Sequence, residues 1–449
     1  MYFKRKIDSQ LDKWLKSENE SPALIVGIRQ CGKTETIKEF AKRNKLNLIE
    51  INFWTNPEFG SDFEGSLDVD NIISNISLRF PKHKINSNSL IFFDEIQDCP
   101  KARLSFKNFK NDGRYRVIAS GSYLGVNGYV VSDATPTPVG YESIFQMKTM
   151  DFEEFLWANG YSETQIEQPI YFFEKAEKIP DHIHNLFKSL FLNYACIGGF
   201  PMVVKKYLAQ KNFVDAFNEL NNIVFDLKSD FGRRKDKNGN PVFKQAEVSR
   251  IQSAFDLIPT FMSKESKRYI VSKINGGTQY DKNDAIEYLR QAHVVSKIYN
   301  VTTPSLPLAA EKIESQFKLY PEDIGIAISM FGLDTISAIL KNNLGQGKGA
   351  IYEALVFDSL NKAGIETYYF AKESGLKIDF VITYNGYATL IEAKAKNGNT
   401  KSSKTVMKHE EHYGKTRLIK IGDYNVSRVE NIITIPHYLT FALGKKPDF

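Results

Sequence analysis

The chain is predicted to be of the α/β class, opening on a three-layer α/β/α core around a parallel sheet, and three stretches carry that prediction. Leu24-Ile25-Val26 is a short apolar run that enters Gly27-Ile28-Arg29-Gln30-Cys31-Gly32-Lys33-Thr34, followed by a helical pattern from Glu35 to Phe40. Ser89-Leu90-Ile91-Phe92-Phe93 is a continuous apolar run that stops at Asp94-Glu95. Tyr115-Arg116-Val117-Ile118-Ala119 leads in the same way to Ser120-Gly121-Ser122. Unbroken apolar runs read as strands buried on both faces, and ligands of open α/β sheets bind beyond the carboxyl ends of such strands.

The first stretch fits G-x-x-x-x-G-K-[ST] between a strand and a helix, the context that makes it a phosphate-loop hypothesis. Gly27 and Gly32 let the backbone curl so that N–H groups face phosphate oxygens, and the helix after Gly32 adds its positive end. Lys33 would reach the β- and γ-phosphates and the Thr34 hydroxyl would take a position on Mg²⁺. The expected nucleotide-contacting set is Gly27, Ile28, Arg29, Gln30, Cys31, Gly32, Lys33, Thr34 and Glu35, with Asp94, Ser120 and Ser122 from the later strands. Asp94 would hold Mg²⁺ through water, and Glu95 would polarise the water that attacks the γ-phosphate. The ligands implied are ATP and Mg²⁺. The alternative for the second strand is an ordinary strand ending in a charged loop.

A chain of 449 residues exceeds one core and suggests about two to four domains. Hydrophobic residues at 42% and charged residues at 25% are ordinary for a globular protein. No apolar stretch nears the ~18 residues of a membrane span, and Met1-Tyr2-Phe3-Lys4-Arg5-Lys6 is no signal peptide. A cytoplasmic protein with no membrane partner is expected. Cys31, Cys99 and Cys196 are scattered, without disulfide or zinc spacing. Of the net charge of +6, +5 falls from Lys341 onward, where 16 Lys and Arg face 11 Asp and Glu. Between Lys394 and Lys420 there are eight basic and two acidic residues. Such a surface suits DNA or RNA, or is a solvated helix face.

In chain order, Ile7, Leu11, Trp14 and Leu15 give a helix over Ile7–Lys16, and Leu46–Phe53 reads as a strand. These complete a P-loop core over residues 1–150. Residues 151–230 are helical, with Gly198-Gly199-Phe200-Pro201 turning between two apolar helices, and would form a lid or bundle. Asp230–Pro241 is polar and reads as a hinge. Helical patterns over Val248–Phe261, Lys264–Ile274 and Asp281–His293, then a strand at Val294–Val301, give the order of a winged helix over residues 231–340. Lys282, Arg290 and Gln291 on its third helix suit either DNA reading or a protein contact.

With those stretches in view, the chain resembles the bacterial and archaeal AAA-type ATPases of the ORC/STAND-related branch, in which a C-terminal domain of unknown function follows the P-loop domain. The resemblance extends to Asp94-Glu95-Ile96-Gln97, Ser120-Gly121-Ser122, Asp151-Phe152-Glu153-Glu154-Phe155-Leu156, Gly198-Gly199-Phe200-Pro201, Phe317-Lys318-Leu319-Tyr320 and Asp323-Ile324-Gly325. It departs at Val139-Gly140-Tyr141-Glu142, where the family often has Gly-Arg. An arginine finger is therefore unassigned, with Arg114 and Arg116 the nearest substitutes. Self-association or a protein partner stays open.

Residues 341–449 form the last expected domain. Gly349–Phe357 reads as a helix carrying Glu353, and Tyr368–Phe370, Leu376–Ile382 and Thr389–Lys394 read as strands. Asp379 followed by Glu392-x-Lys394 resembles the D…ExK set of the PD-(D/E)XK nuclease fold, a restriction-endonuclease-like α/β domain. Alternation puts Glu392 and Lys394 on one face, with Asp379 on the neighbouring strand. The resemblance implies that Asp379 and Glu392 bind Mg²⁺, Glu353 assists, and Lys394 positions the attacking water. The alternative is a fold kept without catalysis. Two functions follow: an ATPase coupled to a nuclease-like domain acting on nucleic acid, or an ATP-driven switch whose later domains only bind partners.

Overall fold

The computed structural model describes residues 2–17, 21–123, 140–232, 241–264, 266–341, 348–394 and 400–445. Val139, Lys396 and most of the expected hinge at 230–241 lie outside them. The chain divides into two compact units, residues 1–149 with 291–293, and residues 150–290 with 294–449.

The first unit is built on β1 (Ala23–Gly27), β2 (Asn47–Asn52), β3 (Ser89–Asp94), β4 (Arg116–Gly121) and β5 (Ser143–Met147). They form one parallel sheet in the order β2-β3-β4-β1-β5. Every residue of β1 and β3 is buried, which is why both read as unbroken apolar runs. Leu24, Val26, Ile91 and Phe93 pack with Phe53, Phe63, Phe106 and Phe109 in one cluster, and the Phe63 ring meets that of Phe93 edge-on at 5.3 Å. Each such ring contributes about 1.5–3 kcal/mol by burial. The helices Lys6–Lys16 and Lys33–Arg43 join through Trp14 and Phe40, ring centroids 6.2 Å apart. β5 is a strand that sequence reasoning missed. It is half-exposed at the sheet edge, so it has no continuous apolar run to betray it.

In the described residues of the second unit, the helices Phe152–Ala158, Glu163–Glu174, Asp181–Ile197, Pro201–Gln210 and Phe213–Ser229 come first, Gln245–Asp256, Ile258–Met262 and Gln279–Gln291 follow, and a sheet of eight strands comes after them. Asp151 starts the first of them with a capping box, its Oδ1 accepting from the Glu154 N–H at 2.9 Å. The sheet comprises β6 (Val295–Val301), β7 (Lys312–Pro321), β8 (Thr367–Ala371), β9 (Lys377–Tyr384), β10 (Tyr387–Ala393), β11 (Thr416–Gly422), β12 (Ser427–Val429) and β13 (Ile432–Pro436). Its order is β12-β13-β11-β10-β9-β8-β6-β7.

The strand expected at Val294–Val301 is β6, which pairs antiparallel with β7 and lies beside β8 in this sheet. Asn300 makes the join: its Nδ2 donates to the Ala371 carbonyl at 3.0 Å and its Oδ1 accepts from the Ala371 N–H at 2.9 Å. Lys264–Ile274 is not an α-helix in its described residues, which hold only a 3₁₀ turn at Val271–Lys273. Lys267 has φ of 51°, and the Tyr269 N–H is drawn to the Phe317 carbonyl at 2.9 Å, so the segment lies along β7 instead.

The motifs Gly198-Gly199 and Asp323-Ile324-Gly325 meet at one buried charge network. Lys362 donates to Asp323 at 2.7 Å, Asp358 at 2.9 Å and the Tyr194 hydroxyl at 2.8 Å. Asp323 also accepts from the Gly199 and Gly325 N–H groups at 3.0 and 2.7 Å. A Cβ at Gly199 would come within 2.0 Å of the Met150 carbonyl oxygen. The glycines are thus required by close backbone approach, and the carboxylates by the N–H groups left in the core.

Candidate nucleotide site and a second charged centre

The loop after β1 is shaped by two left-handed residues, Gln30 with φ of 62° and Gly32 with φ of 103°. Alternation of this kind turns successive N–H groups into a concave anion nest. The helix Lys33–Arg43 starts at Gly32, and its first-turn N–H groups have no acceptor within the helix. Gly27 cannot be replaced in place, since a Cβ would lie 2.3 Å from the Met147 carbonyl oxygen. Arg29, Gln30 and Glu35 are exposed, whereas Ile28 and Cys31 are buried beneath them. Lys33 is also buried, its Nζ donating to the Gly27 and Ile28 carbonyls at 3.0 and 3.1 Å.

Asp94 ends β3, and β4 lies between β3 and β1, so the end of β4 falls between the loop and the carboxylate. The Asp94 oxygens accept from Thr34 Oγ1 at 3.2 and 3.3 Å, from Asn52 Nδ2 at 2.9 Å, and from Ser120 Oγ. Thr34, Asp94 and Ser120 are therefore together. A hydroxyl and a carboxylate side by side are hard oxygen donors and fit Mg²⁺. Glu95 is in the left-handed region with φ of 53°, its carboxylate accepting from Gln97 Nε2. Ser122 lies one residue past β4. Arg114 is paired with Asp70 and Asp112, both at 2.6 Å.

The Arg5 guanidinium also reaches the loop, donating to the Cys31 carbonyl at 2.8 Å. Neither Asn52 nor Arg5 was foreseen. Asn52 closes the strand beside Asp94's, and a polar residue ending an apolar strand was the available signal. Arg5 gives none: it lies 22 residues before Gly27.

The second centre lies in the C-terminal sheet. Asp379 on β9 and Glu392 on β10 stand one step beyond the paired Phe380 and Ile391. Lys394 Nζ is 2.9 Å from Glu392 and 3.6 Å from Asp379, so the three D…ExK side chains do converge. Ser403 Oγ donates to Glu392, and the Ala393 N–H donates to Asp379 at 2.9 Å. Burial first, and then the Glu353 charge, push the Asp379 carboxyl above its usual range against the pull of Lys394.

Glu353 neighbours that set and has its own partners. One oxygen accepts from Lys318 Nζ at 3.0 Å and from the Tyr320 hydroxyl, and the other pairs with Lys267. Burial alone would raise its carboxyl, but Lys318 and Lys267 bring it down to about 2. Among the described residues no three His, Cys, Asp or Glu side chains gather as a metal site. Glu353, expected to assist there, is already engaged by Lys318, Tyr320 and Lys267. Lys318 and Tyr320 share one face of β7 through period-two alternation. That signal was present in Phe317-Lys318-Leu319-Tyr320 but had no partner in the sequence.

Residues 19–156 match the model of an AAA domain. Residues 188–337 and 348–438 match two domains of unknown function, DUF8612 and DUF4143. No curated protein matches the chain. Among solved structures, the ORC2 protein of Aeropyrum pernix, in ADPNP–ADP complexes, is similar at 11% identity over 76% of this chain and 96% of that one, with a TM-score of 0.28. The first unit therefore carries an AAA-type P-loop domain, with a separate β-rich sheet toward the C-terminus. No described helix is long and apolar enough to cross a membrane.

Proposed function

We propose that the first unit binds ATP with Mg²⁺ and hydrolyses it. The observation that carries this reading is the meeting of Thr34 and Asp94 at 3.2 Å beside a backbone anion nest. Backbone N–H groups of the loop and helix start receive the phosphates. The Lys33 ammonium exchanges two carbonyl acceptors for anionic oxygens, a stronger charge-assisted bond. Thr34 and Asp94 would hold Mg²⁺, which supplies charge neutralisation at the phosphates when bound. Asn52 and Ser120 orient the Asp94 carboxylate, and Glu95 takes the proton of the attacking water. The test is a fluorescent-nucleotide titration with phosphate release for wild type, Lys33→Ala and Glu95→Gln. Lys33→Ala is expected to lose binding, and Glu95→Gln to bind without turnover. Equal turnover in wild type and Glu95→Gln removes Glu95 from the mechanism.

A second reading assigns the C-terminal region to nucleic acid. Lys401, Lys404 and Lys408 are exposed along the helix Lys401–Lys408, whose other face buries Ser403 and Val406. Ser403 is bonded to Glu392, so the basic stripe is mounted on the element that touches the D…ExK residues. Asp379, Glu392 and Lys394 are the residues assigned to phosphodiester cleavage. Incubation of wild type and Asp379→Ala with DNA and RNA, with Mg²⁺ or Mn²⁺ and with or without ATP, tests it. If wild type cuts nothing, the region is a binding module and the chain an ATP-dependent switch.

A further inference from the structure

Arg5 is buried, 4% exposed, although it lies at the start of the chain and outside every nucleotide motif. Its guanidinium bridges two carbonyls far apart in sequence: one nitrogen donates to Cys31 at 2.8 Å and the other to Lys148 at 2.6 Å. Cys31 belongs to the phosphate loop, and Lys148 directly follows β5. Its own backbone is fixed too, because the Arg5 N–H donates to Asp8 Oδ2 at 2.9 Å.

The carbonyl that Arg5 holds decides where an N–H points. In a trans peptide the C=O and the following N–H project in opposite directions. Drawing the Cys31 carbonyl toward Arg5 therefore turns the Gly32 N–H the other way. Gly32 has φ of 103° and caps the helix Lys33–Arg43, so this peptide joins the curled loop to the helix start. The same bridge fixes the loop against β5. Its first glycine already abuts β5, where a Cβ on Gly27 would strike the Met147 carbonyl oxygen. Arg5 ties the loop's far end to the next residue, Lys148. The loop is then pinned at both ends to one strand terminus.

We propose that Arg5 is the positioning residue of the phosphate loop, holding the Cys31–Gly32 peptide so that the Gly32 N–H faces the nucleotide phosphates. The proposal rests on the ATP-binding reading. Lysine cannot replace arginine in this role, because one ammonium lacks the planar fork that spans two carbonyls. Arg5→Ala and Arg5→Lys are expected to weaken ATP and ADP binding about tenfold or more, as loss of a charged hydrogen bond implies. The change falls on affinity and KM, and much less on kcat at saturating ATP, since Arg5 does not touch the reacting atoms. Added guanidinium at non-denaturing concentration is expected to restore binding to Arg5→Ala but not to Lys33→Ala.

The experiment is a fluorescent-nucleotide titration of the full chain for wild type, Arg5→Ala, Arg5→Lys and Lys33→Ala, with and without guanidinium, alongside thermal melts. Unchanged affinity in Arg5→Ala overturns the proposal while leaving the ATP reading intact. Loss of binding that tracks loss of the folded state, without guanidinium recovery, makes Arg5 a structural residue and also overturns it. Absence of binding by wild type overturns both readings.

Discussion

The candidate nucleotide site and the C-terminal charged centre use similar residues to opposite ends. In the first, the groups meant for a ligand are mainly backbone N–H groups, whose direction is set by Gln30, Gly32 and the helix start. Its lysine rests on two neutral carbonyls, which an anion outcompetes readily. In the second, the lysines already hold full charges: Lys318 and Lys267 on Glu353, Lys394 on Glu392 and Asp379. A backbone nest offers N–H groups to an incoming anion. A side-chain ion network satisfies itself, and a ligand must displace an existing pair to enter.

The comparison is broken most decisively at Lys33. Lys33→Ala is expected to lower ATP affinity more than ~100-fold with little change in stability, because it removes the charge at the phosphates and leaves two carbonyls that sit on a loop. Nucleotide titration together with a thermal melt checks it. If affinity survives, the loop is not organised around phosphate.

The matching substitution in the second centre acts on stability. Lys318→Met leaves the Glu353 carboxylate, 3% exposed, with one of its two ammonium partners gone. Breaking a buried pair costs about 3–5 kcal/mol. Adding Glu353→Gln to Lys318→Met is expected to recover part of that loss, since the buried carboxylate charge is then gone, while Lys267, the more exposed of the two lysines, loses its partner. Urea unfolding of the three proteins measures it, and a single variant as stable as wild type removes the network from the stability of the sheet.

Much of the first site was legible because its parts are contiguous. One stretch holds the loop, and two apolar strands end in Asp94 and Ser120. The parts that were not legible act across the sheet. Asn52, Arg5 and the edge strand β5 matter through neighbours that only the strand order β2-β3-β4-β1-β5 supplies. In the second unit the helix with Glu353 and the strands with Asp379 and Glu392 were read close to their observed bounds. What failed was the environment. Lys267 was placed in a helix, and a left-handed backbone there turns it toward Glu353 instead. The Gly198-Gly199 and Asp323 motifs were seen as family likeness. Their cause is two buried carboxylates that accept from backbone N–H groups and share the Lys362 ammonium, and two of its contacts, Gly199 to Asp323 and Tyr194 to Lys362, span more than a hundred residues.

A smaller effect follows from pH, and it separates two buried carboxylates in the second unit. Glu353 is held down to about 2, so its contribution is complete above the ordinary carboxylate range and is lost as pH falls toward 2. Asp358 behaves in reverse. Burial raises it to about 6, against the pull of Lys362, so the native state takes up a proton near that pH before the unfolded chain does. Its contribution to stability therefore rises as pH falls through 6. Each proton changes the slope by ~1.4 kcal/mol per pH unit. Urea midpoints from pH 7 to 3 are expected to show a gain in wild type that Asp358→Asn lacks, and at lower pH a loss that Glu353→Gln lacks. Parallel profiles for all three would contradict both assignments.

The smallest structural effect is expected at the exposed lysines, where only ligand binding should change. Lys401, Lys404 and Lys408 lie on the solvent face of their helix, away from the buried Ser403 and Val406. Replacing all three with Gln removes no buried contact, so the melting temperature should stay close to wild type. If these side chains meet phosphates, each released counterion contributes ~0.7–0.9 to the slope of log affinity against log salt. The triple variant is then expected to bind DNA or RNA more weakly at low salt, with a slope shallower by about 2–3. Lys318→Met, buried beside Glu353, should leave that slope unchanged provided the fold persists. The two variants thus sort the basic residues of the second unit into those that face a ligand and those that hold the sheet. An unchanged slope in the triple variant returns the exposed lysines to the role of solvated charge.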